Sequence, residues 1–206
     1  MTTKITSNVI WTSKDAAAAA DGTVNADWTA TGISIDTRTL QRGDLFIALK
    51  GDYGDGHAHV ADAFAKGAAA AMVAHVPDGV DKDKSLLMVS DTLEGLEDLG
   101  RAARHRTGAK IIAVTGSVGK TGTKEMLLMA FSALGQAHAS KASYNNLWGV
   151  PLSLALMHEG TDYGIFELGM NHSGELTPLS QMVKPDVAII TTVAHVHMED
   201  FEYLKD

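Results

Sequence analysis

The residues with the most chemical content stand together: Thr115-Gly116-Ser117-Val118-Gly119-Lys120-Thr121-Gly122, directly after the apolar run Ile111-Ile112-Ala113-Val114. Consecutive loop amides and a helix start can converge on phosphate oxygens. A lysine adds a point charge, and the neighbouring hydroxyl can ligate Mg²⁺. The eight-residue phosphate-loop pattern wants glycine six positions before the lysine, where this chain has Val114, so the match is to a shortened loop of the form Gly-Ser-x-Gly-Lys-Thr. Glu167 ends the apolar run Tyr163-Gly164-Ile165-Phe166, which puts a carboxylate at a strand's C-terminal end, where open α/β sheets place ligands. The plainer reading of Glu167 is a solvated strand-end acid. His195 and His197 are two apart and would share a face of a continued strand, a spacing that suits a metal and equally suits a surface pair. His172 alone reads as a loop histidine as readily as a ligand, and His59, His75, His105, His138 and His158 read as structural or surface.

These groups need elements to hold them, and the hydropathy pattern supplies them. Residues 111–114 read as a strand and 120–135 as a helix with Met126, Leu127, Ala130 and Leu134 at amphipathic positions. Helices over 149–158 and 174–183 alternate with strands over 163–168 and 186–193, which implies parallel strands joined by crossovers. Upstream, Ala16 to Ala20 followed by Asp21-Gly22 reads as a helix stopped by glycine. Strand-like runs at 32–36 and 44–49 suggest a hairpin or adjacent strands. A glycine-spaced loop leads to a helix near 57–67, and short apolar runs at 69–75 and 86–89 flank a charged turn. Asp91 or Thr92 caps a helix that ends at Thr107-Gly108, and its Arg101, Arg104 and Arg106 read as a solvated face near a helix C-terminus. A domain boundary is expected there. The fold class is α/β: a small N-terminal α/β domain over residues 1–108, then a phosphate-loop parallel-sheet domain over 109–206.

Composition narrows the class further. With 45% apolar and 20% charged residues the chain is too apolar for disorder, and 206 residues hold one large domain or two small ones. The absence of cysteine excludes thiol catalysis, disulfides and thiolate zinc sites. The net charge of −8 is shared equally by the two halves, so neither is a nucleic-acid surface, and an anionic ligand must be held by local amides and single cations. No apolar run approaches the ~18 residues of a membrane span. The start Met1-Thr2-Thr3-Lys4 leads into polar residues, so a cytoplasmic protein is expected.

Four stretches in order resemble successive motifs of the Mur ligases. They are the run from Thr115 to Met126, Tyr144-Asn145-Asn146-Leu147-Trp148-Gly149-Val150-Pro151, Glu167-Leu168-Gly169-Met170-Asn171-His172-Ser173-Gly174-Glu175, and His197-Met198-Glu199. Ser34-Ile35-Asp36-Thr37-Arg38, the run from Gly43 to Gly51 and Asp55-Gly56-His57 resemble that family's N-terminal uridine-nucleotide domain. The combination is most similar to the members that add D-alanyl-D-alanine to UDP-N-acetylmuramoyl-tripeptide in peptidoglycan precursor synthesis. That resemblance implies ATP-driven amide formation through an acyl phosphate, with ATP and Mg²⁺ as cofactors and a monomeric enzyme. Residues 115–122 would bind ATP, Lys120 contacting the β- and γ-phosphates. Thr121, Glu167 and His197 would hold Mg²⁺, and Lys120, Glu167 and His197 would be catalytic. Thr37, Arg38, Asp55, Gly56 and His57 would touch the uridine diphosphate, and Asn145, Asn146, Asn171 and His172 would line the nucleotide and acyl groove. Val118 and Gly122 depart from common family residues and leave the lysine and hydroxyl in place. The family's central domain continues past its metal histidine and a third domain binds the amine substrate, so the resemblance implies a ligase fragment without turnover. Two alternatives are weighed against it: a relative adding a diamino acid to make the tripeptide, which the Asn-Asn-Leu-Trp-Gly-Val-Pro stretch disfavours, and a UDP-sugar-binding module with an idle phosphate loop. A generic phosphate-loop kinase or GTPase is weaker, for want of a base-reading motif.

Overall fold

The computed structural model describes residues 8–51, 54–81, 83–141, 144–170 and 172–194. The chain divides into two compact units between Ala102 and Ala103, inside the helix Thr92–Arg106, and the boundary expected from sequence lies just past that helix.

The first unit opens with helix α1 (Ser13–Ala19), capped by the Thr12 hydroxyl, which accepts from the Asp15 N–H. The helix is left through Asp21, at a φ of 45°, and not at Gly22 itself. Strands β1 (Thr23–Val24), β2 (Gly32–Ser34), β3 (Asp44–Ile47), β4 (Ala70–Val73) and β5 (Leu86–Met88) form one sheet in the order β1-β5-β4-β3-β2. β2 to β5 are mutually parallel and only the edge strand β1 runs antiparallel. The runs read as a hairpin or adjacent strands are therefore adjacent and parallel. β3 and β4 are buried on both faces, as continuous apolar runs in parallel sheets are. The helix expected near 57–67 is broken in two: a 3₁₀ turn at Gly56–His59, started where the Asp55 carboxylate accepts from the His57 N–H, then α2 (Val60–Ala65). Val60 and Ala63 of α2 pack on Phe46, Ala48, Ala71 and Val73. Thr92–Arg106 is α3.

In the second unit β6 (Lys110–Thr115), β7 (Ala137–Ala139), β8 (Tyr163–Glu167) and β9 (Val187–Ile190) are all parallel, in the order β7-β8-β6-β9. Strand β7 escaped the sequence reading because it is short, half-buried and centred on His138. Helices α4 (Lys120–Ser132), α5 (Gly149–Ala155) and α6 (Leu176–Val183) cover the sheet. Alternation along β6 assigns the faces: Ile111 and Ala113 join Val150, Leu154, Leu179 and Val183 of α5 and α6, while Ile112 and Val114 meet Leu127, Leu128 and Phe131 of α4. The face of α4 expected from sequence is thus rotated, for Met126 and Leu134 are 65% and 67% exposed. The arginine reading also needs correction. Arg101 is a solvated residue paired with Glu97 and Asp98. Arg104, however, donates to the carbonyls of Val183 and Lys184 at 2.8 and 2.9 Å, capping the end of α6, and Arg106 reaches the Met157 carbonyl at 3.5 Å.

Candidate functional site

Strand order places the site of the second unit. In the order β7-β8-β6-β9 the chain leaves β6 toward β7 on one side and leaves its neighbour β8 toward β9 on the other, so a crevice opens between the C-terminal ends of β6 and β8. The loop 115–119 lies there, followed by α4 with Gly119 at its N-cap. The first turn of a helix has amides with no intrahelical acceptor, which is the local device the acidic chain requires for an anion. The loop is stitched to the segment after β9: the Ser117 N–H donates to the Thr192 carbonyl at 2.6 Å, and the Thr191 hydroxyl donates to the Val118 carbonyl at 2.6 Å. Gly116 sits at a φ of 129°, and a Cβ there would collide with Thr191 Oγ1. The strand expected over 186–193 ends at Ile190: the Thr191 N–H still donates to the Thr115 carbonyl at 2.9 Å, and Thr191, Thr192 and Ala194 then turn to hold the loop.

Lys120 curls over this loop, its Nζ donating to the Gly116 carbonyl at 2.7 Å and the Ser117 carbonyl at 3.3 Å. The next residue, Thr121, donates its hydroxyl to Glu167 Oε2 at 2.9 Å. Glu167 is only 1% exposed, so it is no solvated strand-end acid. Its position follows from register, because Glu167 pairs with Val114, the residue before the loop. Asn145 Nδ2 donates to Glu167 Oε1 at 2.8 Å, and Ser140 Oγ accepts the Glu167 N–H at 3.2 Å. A Cβ on Gly169 would stand 2.7 Å from the Asn145 side chain, so the glycine two residues after the carboxylate makes room for that amide.

The structure thus brings Thr115 to Gly122, Asn145 and Glu167 together. Asn146 does something local, its Oδ1 accepting the Gly149 N–H at 2.9 Å at the start of α5. His172 is exposed, its N–H donating to Glu175 at 3.2 Å. Asn171, His195 and His197 lie outside the described residues. Sequence reasoning missed Ser140 and Thr191, single hydroxyl residues with no motif around them. Among the described residues no group of three His, Cys, Asp or Glu is placed to hold a metal. One buried carboxylate beside a hydroxyl nevertheless suits Mg²⁺, which takes few protein oxygens and fills its remaining positions with phosphate and water.

In the first unit Thr37 and Arg38 follow β2, and Asp55, Gly56 and His57 come after β3, its parallel neighbour. Arg38, 86% exposed, lies against Asp36 at 2.6 Å, and its guanidinium holds the Asp36 carboxyl down at about 2. The Thr37 carbonyl accepts from Lys66 Nζ at 3.0 Å. His57 is buried, with both ring nitrogens engaged: Nδ1 against Asp55 at 2.6 Å, Nε2 accepting the Ala74 N–H at 2.9 Å. The Nε2 contact fixes the tautomer, since a nitrogen that accepts carries no proton and leaves Nδ1 as the donor. The His57 N–H and then its ring lower the Asp55 carboxyl below the ordinary carboxylate range. His75 stacks on His57 with ring centroids 4.2 Å apart.

Two family models together span most of the chain. One described as "Mur ligase family, catalytic domain" matches residues 29–118, and one described as "Mur ligase middle domain" matches residues 114–206. The UDP-N-acetylmuramoyl-tripeptide–D-alanyl-D-alanine ligase of Rickettsia prowazekii is 38% identical over 198 residues, covering 96% of this chain and 44% of that protein. The ligase of the same name from Bacillus subtilis is 37% identical over 169 residues, covering 82% and 37%. A crystal structure of MurF from Acinetobacter baumannii superposes with a TM-score of 0.79 at 35% identity, over 93% of this chain and 43% of that one. MurF from Thermotoga maritima, solved in complex with ADP, superposes with a TM-score of 0.66 at 27% identity, over 81% and 38%. The chain spans less than half the length of these relatives.

Proposed function

The chain belongs to the Mur ligase family, and we propose that it forms the N-terminal domain, residues 1–108, and part of the central ATP-binding domain, residues 109–206, of a cytoplasmic ligase that joins D-alanyl-D-alanine to UDP-N-acetylmuramoyl-tripeptide. The observation that carries this reading is the cluster of Thr121, Asn145 and Glu167 closed by hydrogen bonds of 2.8 and 2.9 Å beside the Lys120 loop. It is a hard-oxygen site next to a helix start and a lysine, the set of groups that phosphoryl transfer needs for positioning and charge neutralisation.

In this reading residues 115–122 cradle the phosphates of ATP, and Lys120 exchanges its two carbonyl partners for phosphate oxygens. Thr121 and Glu167, with His197 from beyond the described residues, hold Mg²⁺. ATP would supply a phosphoryl group to activate the peptide carboxylate, which the amine then displaces. Asn145 orients Glu167, and Asn146, Asn171 and His172 belong to the groove wall. Thr37, Arg38, Asp55 and Gly56 face the uridine diphosphate, with His57 setting the shape of that loop from within. The dipeptide and its site belong to the part of the ligase outside this chain.

Calorimetric titration of the 206-residue chain with ADP and Mg²⁺ tests the reading. Saturable binding is expected, and Lys120→Ala should weaken it by about 10- to 100-fold, the worth of a charged hydrogen bond. Binding of a UDP-muramoyl peptide without any binding of ADP would instead favour the UDP-sugar module.

A further inference from the structure

One buried charge has no part in the site described above. Lys124 stands in the second turn of α4 with 0% of its surface exposed. It begins the stripe Lys124, Leu127, Leu128 and Phe131 that faces the sheet, a place where an apolar side chain would pack without desolvating an ammonium. A buried charge is costly unless it is hydrogen-bonded and paired, so its presence at a packing position points to a directed bond. That bond is short: Lys124 Nζ donates to the Ser140 carbonyl at 2.8 Å, while the neighbouring Glu125 carboxylate lies 3.0 Å away and balances the charge.

Ser140 is the residue that connects this bond to the site. It follows β7, its N–H donates to the Ile165 carbonyl at 3.2 Å, and its hydroxyl accepts the Glu167 N–H at 3.2 Å. Five residues later the same segment returns Asn145 to Glu167 Oε1 at 2.8 Å. Lys124 lies three residues after Thr121, which donates to the other oxygen of the same carboxylate. The helix that presents Thr121 therefore also grips, one turn later, the segment that holds Glu167 from its far side.

We propose that Lys124 is a positioning residue for the Glu167 carboxylate. It fixes Ser140, and through it the distance between Glu167 and Thr121, and so sets the affinity of the site for Mg²⁺ rather than for the phosphates. The inference rests on the nucleotide-site reading above.

The test separates those two affinities. ADP is titrated into the chain once with Mg²⁺ and once with EDTA. In Lys124→Met the gain in ADP affinity that Mg²⁺ confers should fall by about 10- to 100-fold, as for other residues that orient a metal ligand, while ADP affinity in EDTA and the far-ultraviolet dichroism stay as in the parent. Ser140→Ala keeps the carbonyl and removes only the hydroxyl. It should lose the same Mg²⁺-dependent gain, and the double variant should lose no more than either alone. Equal weakening with and without Mg²⁺ would reduce Lys124 to a structural role and overturn the proposal, as would an unchanged gain. Should Lys124→Met fail to fold, Lys124→Gln, which keeps a shorter neutral donor in the same place, is read on the same criterion: a selective loss of the Mg²⁺-dependent gain supports the proposal, and an equal loss in both buffers or an unchanged gain overturns it. A parent chain that binds no ADP in either buffer overturns the nucleotide-site reading itself and this inference with it.

Discussion

Both units of this chain set polar side chains at the C-terminal ends of parallel strands, yet they use them differently. In the first unit β2 to β5 are laid down in one direction, so the connections among them all step to the same side. His57 is there engaged by the fold itself, by Asp55 on one nitrogen and the Ala74 N–H on the other. In the second unit the direction reverses between β6 and β8, and the groups at the reversal have partners that a ligand could replace. Lys120 rests on two loop carbonyls and Glu167 on a hydroxyl and an amide. Burial does not separate the two cases, since His57 is 7% and Glu167 1% exposed. What separates them is where the partners stand: Asp55 and the Ala74 N–H hold the ring from within the first unit's fold, whereas the loop carbonyls, Thr121 and Asn145 line the crevice.

The contrast can be broken experimentally, and the largest effect is expected at the loop. Gly116→Ala forces a side chain into a φ of 129° and onto Thr191. It should cost roughly 2–4 kcal/mol of stability and abolish ADP binding, read by thermal denaturation and calorimetry. A variant that melts like the parent and still binds ADP would show that the loop does not need its stitch to residues 191–194.

His57→Ala probes the other side of the comparison. It leaves the Ala74 N–H without its acceptor, so about 2 kcal/mol of stability should be lost, whereas ADP affinity should be unchanged. Denaturant melts of parent and variant check the first statement. Weakened ADP binding would contradict the independence of the two sites.

The smallest effect is at the exposed pair Arg38 and Asp36. Arg38 lowers the folded-state pKa of Asp36 to about 2, beneath the roughly 3.9 of an unfolded aspartate. The contribution of the pair is thus present above about pH 4 and is lost as pH falls through about 2. It should be small because solvent screens it. Acid titration of Arg38→Ala should show the stability difference from the parent shrinking over that window, and a difference that persists at the acid end would refute the assignment.

Much of the site was legible because its parts are contiguous. From Ile111 to Met126 a strand, a loop and a helix follow in order, and local rules read each of them. The end of β8 was legible too, from an apolar run closed by a carboxylate. The face of α4 was not. Lysine counts as a surface residue in any hydropathy pattern, so a stripe that begins at Lys124 was read one position off, toward Met126 and Leu134. Strand β7 was hidden by its brevity and by the polar His138. Arg104 looked like one more cation on a solvated helix, and only the position of α6 turns it into a cap.

The sequence by itself determined the phosphate loop, the α/β alternation and the family, because these depend on residue order and on periods of two and 3.6. Tertiary structure alone decided that β6 lies between β8 and β9, that Asn145 and Thr121 grip the same carboxylate from opposite sides, and that residues 191–194 hold the loop. Those relations join residues 22 to 77 positions apart, and no local period reports them. They exist only once the ladder registers bring Val114 beside Glu167 and Thr115 beside Ile190.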